Sequence, residues 1–241
     1  KMIFDIDFFK NGQKEAIEKV LKLAELPKAS SVLFTNVHVT VEANRDPSLM
    51  KVIKDATLVI PDGKPIQWVL NAKGEKSAQR YSGPDLMEDL FARTARQQHF
   101  FIGSSQKVLD KFCERFGGSP EQFYSPPFKE KFDEAEMQRH IDMVSQFGAD
   151  FIWVGLGAPK QERYVVEMAQ RAKKGVWLAV GAAFEFYAGT KPRAPKIIQD
   201  IGMEWAFRWA SEPRRLTSRY LDTNTAFIKL CLKEFLKKGA T

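Results

Sequence analysis

The sequence is poor in the residues that build metal centres and cross-links. Only two cysteines, Cys113 and Cys231, occur among 241 residues. Each falls in a helix-like pattern, which argues against a disulfide framework or a cysteine zinc site and fits a reducing compartment. The three histidines, His38, His99 and His140, are scattered. No apolar run reaches the length of a membrane span, and the first residues show no signal-peptide pattern, so any meeting with a membrane is expected from one side. Internal repeats and low-complexity linkers are also missing. Acidic residues are the scarcer charge: 30 Asp and Glu against 37 Lys and Arg give a net charge of +7. That balance suits acidic partners such as nucleic acid, phosphorylated substrates or an anionic membrane face, and it also suits an ordinary basic soluble protein.

What is present is an alternation. With 44% hydrophobic residues the chain can build a sizeable core. Apolar runs at Met2–Phe8, Ser31–Thr35, Leu58–Ile60, His99–Ile102, Gln122–Tyr124, Phe151–Val154 and Val176–Val180 read as strands. Helical periodicity fills Ala16–Leu26, capped by Asn11, and recurs from about 39 to 56, 66 to 72, 85 to 96, 107 to 116, 133 to 147 and 161 to 173. Strands separated by helices of this length predict an α/β fold: a Rossmann-like, mostly parallel sheet with helices on both faces. Asp5-Ile6-Asp7 could suggest a metal-binding aspartate pair, but an edge strand with alternating charge is the better reading, and no metal site is expected. Beyond about residue 196 the pattern is helical and basic, which divides the chain into an α/β unit, 1–195, and a helical appendage, 196–241.

Each loop with chemical potential follows a strand, and a parallel sheet gathers such loops on its carboxyl edge. Asn36, after Thr35, carries donors and an acceptor for a sugar hydroxyl, or organises its turn. Asp62-Gly63-Lys64-Pro65 holds a carboxylate at a helix start, as a general base requires; a turn is the reading favoured without further context. Arg80-Tyr81-Ser82-Gly83-Pro84-Asp85 offers an arginine for phosphate or for a carboxylate, with Asp85 as a cap. Gly103-Ser104-Ser105 opens a helix whose free amides suit phosphate or a serine cap. Gly155-Leu156-Gly157-Ala158-Pro159-Lys160-Gln161 forms a diphosphate cradle or a generic strand-to-helix turn. It is neither a P-loop nor a dinucleotide fingerprint, which counts against an NAD-dependent oxidoreductase.

The densest signal is Gly181-Ala-Ala-Phe-Glu-Phe-Tyr-Ala-Gly189 followed by Arg193-Ala-Pro195, Glu204-Trp205, Arg208 and Glu212-Pro-Arg-Arg215. Arg208, Arg215 and Arg219 recur near one helical face and could grip a diphosphate together. Further on, Tyr220, Phe227, Ile228, Cys231 and Phe235 recur at helical spacing beside a row of Lys229, Lys233 and Lys237. The pattern favours a terminal helix docking its apolar stripe on the core; a basic amphipathic helix lying on an anionic bilayer is the alternative.

Taken in order, Asn36, Asp62-Gly63-x-Pro65, Arg80-x-x-Gly83-x-Asp85-Leu86, Gly155-x-Gly157-x-Pro159-Lys160-Gln161-Glu162, Gly181-Ala-Ala-Phe184 and the arginine-rich run resemble the WecG/TagA/CpsF family of bacterial glycosyltransferases over nearly the whole chain. The resemblance implies an inverting, metal-independent transfer from a UDP-sugar to a sugar carried on a polyprenyl diphosphate, with no cofactor. It implies a cytoplasmic enzyme, peripheral on the inner face of the bacterial membrane, feeding teichoic acid, common-antigen or exopolysaccharide assembly. On that resemblance Asp62 is the base, Asn36, Gln161, Arg208 and Arg215 complete the catalytic set, and Thr35, Arg80, Gly83, Asp85, Gly103, Gly155, Gly157, Lys160, Arg193 and Arg219 bind substrate. Two positions depart from the family pattern. Phe34 replaces a frequent threonine, and Ser218-Arg219-Tyr220 stands where paired arginines often precede the tyrosine. The resemblance also implies a tail that docks in an assembled, homo-oligomeric form and otherwise comes free. A nucleotide- or nucleic-acid-binding α/β module with a basic tail is the competing expectation; the tail's apolar row favours lipid over RNA, so no nucleic-acid partner is expected.

Overall fold

The computed structural model describes residues 2–236, with the Arg215 and Arg219 side chains outside the described part. Lys237 and Lys238 of the basic tail lie outside the described residues. Six strands, β1 (Ser30–Thr35), β2 (Leu58–Pro61), β3 (His99–Gly103), β4 (Phe123–Tyr124), β5 (Phe151–Gly155) and β6 (Val176–Ala179), form one sheet in the order β2-β1-β6-β5-β3-β4. Every pairing is parallel. A parallel sheet is buried on both faces, and here alternate residues of each strand feed two separate cores. Leu33, Val59, Ile102, Val154 and Trp177 point to one. Val32, Phe34, Ile60, Phe101, Trp153 and Leu178 point to the other.

Helices cover both faces. The first core is closed by α2 (Val37–Arg45), α3 (Pro47–Asp55), α4 (Lys64–Ala72), α7 (Glu134–Phe147) and α8 (Lys160–Arg171). The second is closed by α1 (Gln13–Ala24), α5 (Gly83–Phe91), α6 (Gln106–Phe116) and α9 (Ala183–Tyr187). The helical stretch expected from 39 to 56 is two helices, because Asp46 ends α2 and caps α3. Its carboxylate accepts from the amides of Ser48 and Leu49, and Pro47 follows at the first helical position, where its missing N–H costs nothing. The cap of α1 is Gly12, not Asn11.

The segment expected as a first strand over Met2–Phe8 is instead a tight turn. Phe4 and Asp5 adopt φ of 56° and 61°, and Ile3 and Ile6 exchange two backbone hydrogen bonds of 3.0 Å. The turn lets Ile3, Phe4, Ile6 and Phe8 all be buried, which an edge strand with one wet face would not allow. Asp5 and Asp7 therefore do not alternate along an edge.

The remaining helices are α10 (Lys196–Asp200), α11 (Glu204–Ser211) and α12 (Pro213–Leu236). The last lies along α2. Leu216 and Phe227 are buried, the Phe227 ring sits 5.4 Å from that of Phe4, and Asp222 accepts two hydrogen bonds from Arg45, at 2.6 and 2.9 Å. The apolar row read from the sequence divides: Phe227 is buried, Tyr220 and Cys231 are half-buried, and Ile228 and Phe235 are exposed. Among the described residues no helix is long and apolar enough to cross a membrane.

Candidate active site

The carboxyl ends of β1, β2, β3, β5 and β6 open into one cleft of about 2140 Å³, with α11 as its far wall. In an open parallel sheet this edge is where ligands bind, because the loops there diverge and helix N-termini point inward.

Asp62 stands at the end of β2. Its backbone N–H donates to the Thr35 carbonyl at 3.1 Å, and Gly63 then turns away at φ 91°, a conformation that suits glycine, to start α4. The carboxylate lines the cleft, and no hydrogen-bond partner for it occurs among the described residues. Burial pushes its pKa up from 3.8 to about 6; the charges of Arg80 and Arg208 oppose this, and those of Glu204 and Asp85 reinforce it. A carboxylate that is ionised near neutrality and still proton-hungry has the character of a general base.

Asn36 organises its turn, the second of its two sequence readings. Its Oδ1 accepts from the Val39 amide at 3.1 Å and caps α2, while the residue also lines the cleft. Gln161 is committed to its own loop. Its Oε1 accepts from the Gly157 amide at 3.1 Å, and its Nε2 donates to Glu162 at 3.1 Å and lies 3.5 Å from the Ala179 carbonyl. It thus fixes the glycine turn beside the end of β6. Lys160 also lines the cleft, but its ammonium donates to the Lys129 carbonyl and sits 4.2 Å from the centre of the Phe132 ring. It ties the segment 125–132 to the glycine turn. Arg208 reaches the cleft from α11, its guanidinium 5.8 Å from the Phe186 ring centre.

Gly83, Gly155 and Gly157 line the same space. Gly83 lets α5 start against β6, since a Cβ there would lie 3.0 Å from the Val180 Cα. Gly103 does not line the cleft. A Cβ on it would fall 2.4 Å from the Gly155 carbonyl oxygen, and its φ is 127°. Gly103→Ala is therefore expected to destabilise the fold by about 2–4 kcal/mol, read as a lowered urea midpoint, through strain and backbone collision.

Thr35, Arg80, Asp85 and Arg193 are not in the cleft wall. Strand alternation puts the buried Thr35 on the sheet face opposite Phe34, which packs in the second core and also borders the cleft. Buried Arg80 and half-buried Asp85 and Arg193 form an ionic cluster behind it. Arg80 pairs with Asp85 at 3.3 Å and with Glu204 at 3.0 Å; Arg193 pairs with Asp85 at 2.6 Å. Ser82 donates to Asp85 at 2.6 Å, and Gln199 accepts from both arginines at 3.3 Å. Burial alone would raise the Asp85 pKa, but Ser82, Arg193 and Arg80 more than offset it and hold the carboxyl below its ordinary value. Glu204, Gln199 and Ser82 received no role from the sequence; the four-residue step from Glu204 to Arg208, one turn of one helix face, was the available signal. Among the described residues no group of three or more His, Cys, Asp or Glu side chains is placed to hold a metal ion.

The model of the glycosyl transferase WecG/TagA/CpsF family matches residues 1–241, the whole chain, and the protein belongs to that family.

Proposed function

We propose that this glycosyltransferase is an inverting enzyme that needs no metal and moves a hexose, an N-acetylhexosamine or its uronic acid from a UDP-sugar to a sugar on a polyprenyl diphosphate. The product would feed cell-surface polysaccharide synthesis. The observation that carries the reading is the Asp62 carboxylate, unpartnered among the described residues, facing the cleft and shifted to a pKa of about 6. In the proposed step the acceptor hydroxyl gives its proton to Asp62. Its oxygen forms a bond to the anomeric carbon from the face opposite the UDP, and the bond from that carbon to the leaving oxygen breaks. The electron pair leaves with UDP, whose growing charge is met by Arg208, with Arg215 as the second arginine of α12. Asn36 offers its amide nitrogen to the donor or acceptor, and the glycine turn fixed by Gln161 takes the diphosphate against the start of α8. On this reading Lys160 acts through the segment it anchors, and Thr35, Arg80, Asp85, Gly103 and Arg193 act as supports of the site.

Membrane association belongs to the same proposal. Ile197, Ile201, Trp209, Leu221, Ile228 and Leu232 are exposed on α10–α12, and Lys196, Arg214, Lys229 and Lys233 are exposed on the same helices. Apolar groups beside cations suit an anionic lipid face. The test is UDP release across a panel of UDP-sugars, with a short lipid-diphosphate-linked acceptor, with and without EDTA. One donor should stand out by at least about tenfold, and chelation should leave its rate unchanged. No turnover with any UDP-sugar would defeat the donor assignment, and a rate lost to EDTA and restored by a divalent cation would defeat metal independence.

A further inference from the structure

We propose that Glu162 is a positioning residue: it fixes which way round the Gln161 amide stands, and through Gln161 it holds the Gly157 turn in the shape that receives a diphosphate. The diphosphate part rests on the reading of that turn as the donor's phosphate site; the positioning part does not. Glu162 follows Gln161 in the first turn of α8, a helix that packs against β1 and β6. Its side chain is 0% exposed, and Val165, Val166 and Met168, buried farther along the same helix, are apolar. A glutamate is almost never enclosed in this way without a partner. One partner here is Gln161, whose Nε2 donates to the Glu162 Oε1 at 3.1 Å.

A side-chain amide has a donor end and an acceptor end, so its neighbours decide how it stands. The Gln161 Nε2 faces acceptors, the Glu162 carboxylate and, at 3.5 Å, the Ala179 carbonyl. The second contact is at the outer limit of a hydrogen bond, which leaves Glu162 as the main anchor of that end. Oε1 is thereby turned to Gly157, whose N–H donates to it at 3.1 Å. The Gln161 backbone N–H donates to the Gly157 carbonyl at 2.9 Å, so Gln161 holds Gly157 by both of its backbone groups. Gly157 stands at φ 81° just before α8, a helix whose N-cap makes no side-chain cap bond. A reversed amide would set oxygen against oxygen at Glu162 and N–H against N–H at Gly157. Gln161 is only 4% exposed, so water has little room to relieve the mismatch. A carboxylate in the first turn of a helix also interacts favourably with the helix N-terminus. That second role depends on charge, whereas positioning Gln161 depends on reach.

The two roles therefore rank two conservative variants in opposite order. Glu162→Gln keeps the length and an acceptor oxygen but loses the charge. Glu162→Asp keeps the charge but draws the oxygens back by one methylene. The readout is hydrogen exchange of the Gly157 amide, followed by NMR in the full chain without ligand. Glu162→Asp should exchange about five- to tenfold faster than the unaltered protein, and Glu162→Gln should stay within about twofold of it. In a Gln161→Ala background the two variants should exchange Gly157 at the same rate, because the side chain they act through is gone. The reverse order, or equal exchange in the two folded single variants, overturns the positioning role, and so does a difference that persists without Gln161. UDP affinity, measured by calorimetry, should fall about fivefold in Glu162→Asp and hold in Glu162→Gln. Exchange that moves as expected while UDP affinity does not upholds the positioning of Gln161 and removes the Gly157 turn as the diphosphate site.

Discussion

Asp62→Asn is expected to lose transfer by about 10²–10⁴-fold and, at the same time, to melt at a higher temperature than the unaltered protein. The loss follows from removing the proton acceptor without changing its shape. The gain follows from linkage. The folded chain holds the Asp62 proton up to about pH 6, whereas the unfolded chain releases it near 3.8. Folding therefore takes up a proton between these values, and above about pH 6 the buried charge weakens the fold. The full shift corresponds to about 3 kcal/mol, and water in the cleft reduces this to about 1–2 kcal/mol, or roughly 2–6 °C in Tm. Calorimetry should show the widest gap between the two proteins near pH 8 and almost none near pH 4. An amide variant that is less stable at pH 8 would show that the carboxylate is held by contacts rather than poised for work.

Arg208→Ala should reduce kcat by about 10²–10³-fold while changing the donor KM much less. On the proposed reading Arg208 faces the leaving diphosphate and gains most of its interaction as the bond breaks, so its loss appears in the chemical step. Lysine at this position should recover only a part, since an ammonium keeps the charge but not the planar fork. Equal losses in affinity and turnover would instead assign Arg208 to ground-state binding. The residue's setting limits collateral damage: it is half-buried and packs on Phe186, so little of the core depends on it.

The sheet and the loops that border the cleft were legible because the strand-to-helix rhythm dictates a parallel sheet, and a parallel sheet dictates where Asn36, Asp62, Gly155 and Gly157 must gather. What sequence could not supply was side-chain direction. Thr35 and Phe34 differ by one residue, and the strand's period of two buries them on opposite faces of the sheet, of which only the Phe34 side borders the cleft. Arg80 and Lys160 look alike as free cations in loops. One is enclosed by partners 119 and 124 residues away, and the other is drawn to the Lys129 carbonyl and the Phe132 ring. The turn at Phe4 and Asp5 was hidden for a different reason: it adopts left-handed backbone without a glycine, and burial of four apolar side chains offsets that cost.

The claim on which the rest depends is tested most directly by the pH dependence of kcat/KM for the unaltered enzyme alongside Asp62→Asn. The unaltered enzyme should lose about tenfold per pH unit below about 6, and the residual rate of the amide variant should be flat through the same range. A variant that keeps both the acidic limb and most of the rate would contradict the account.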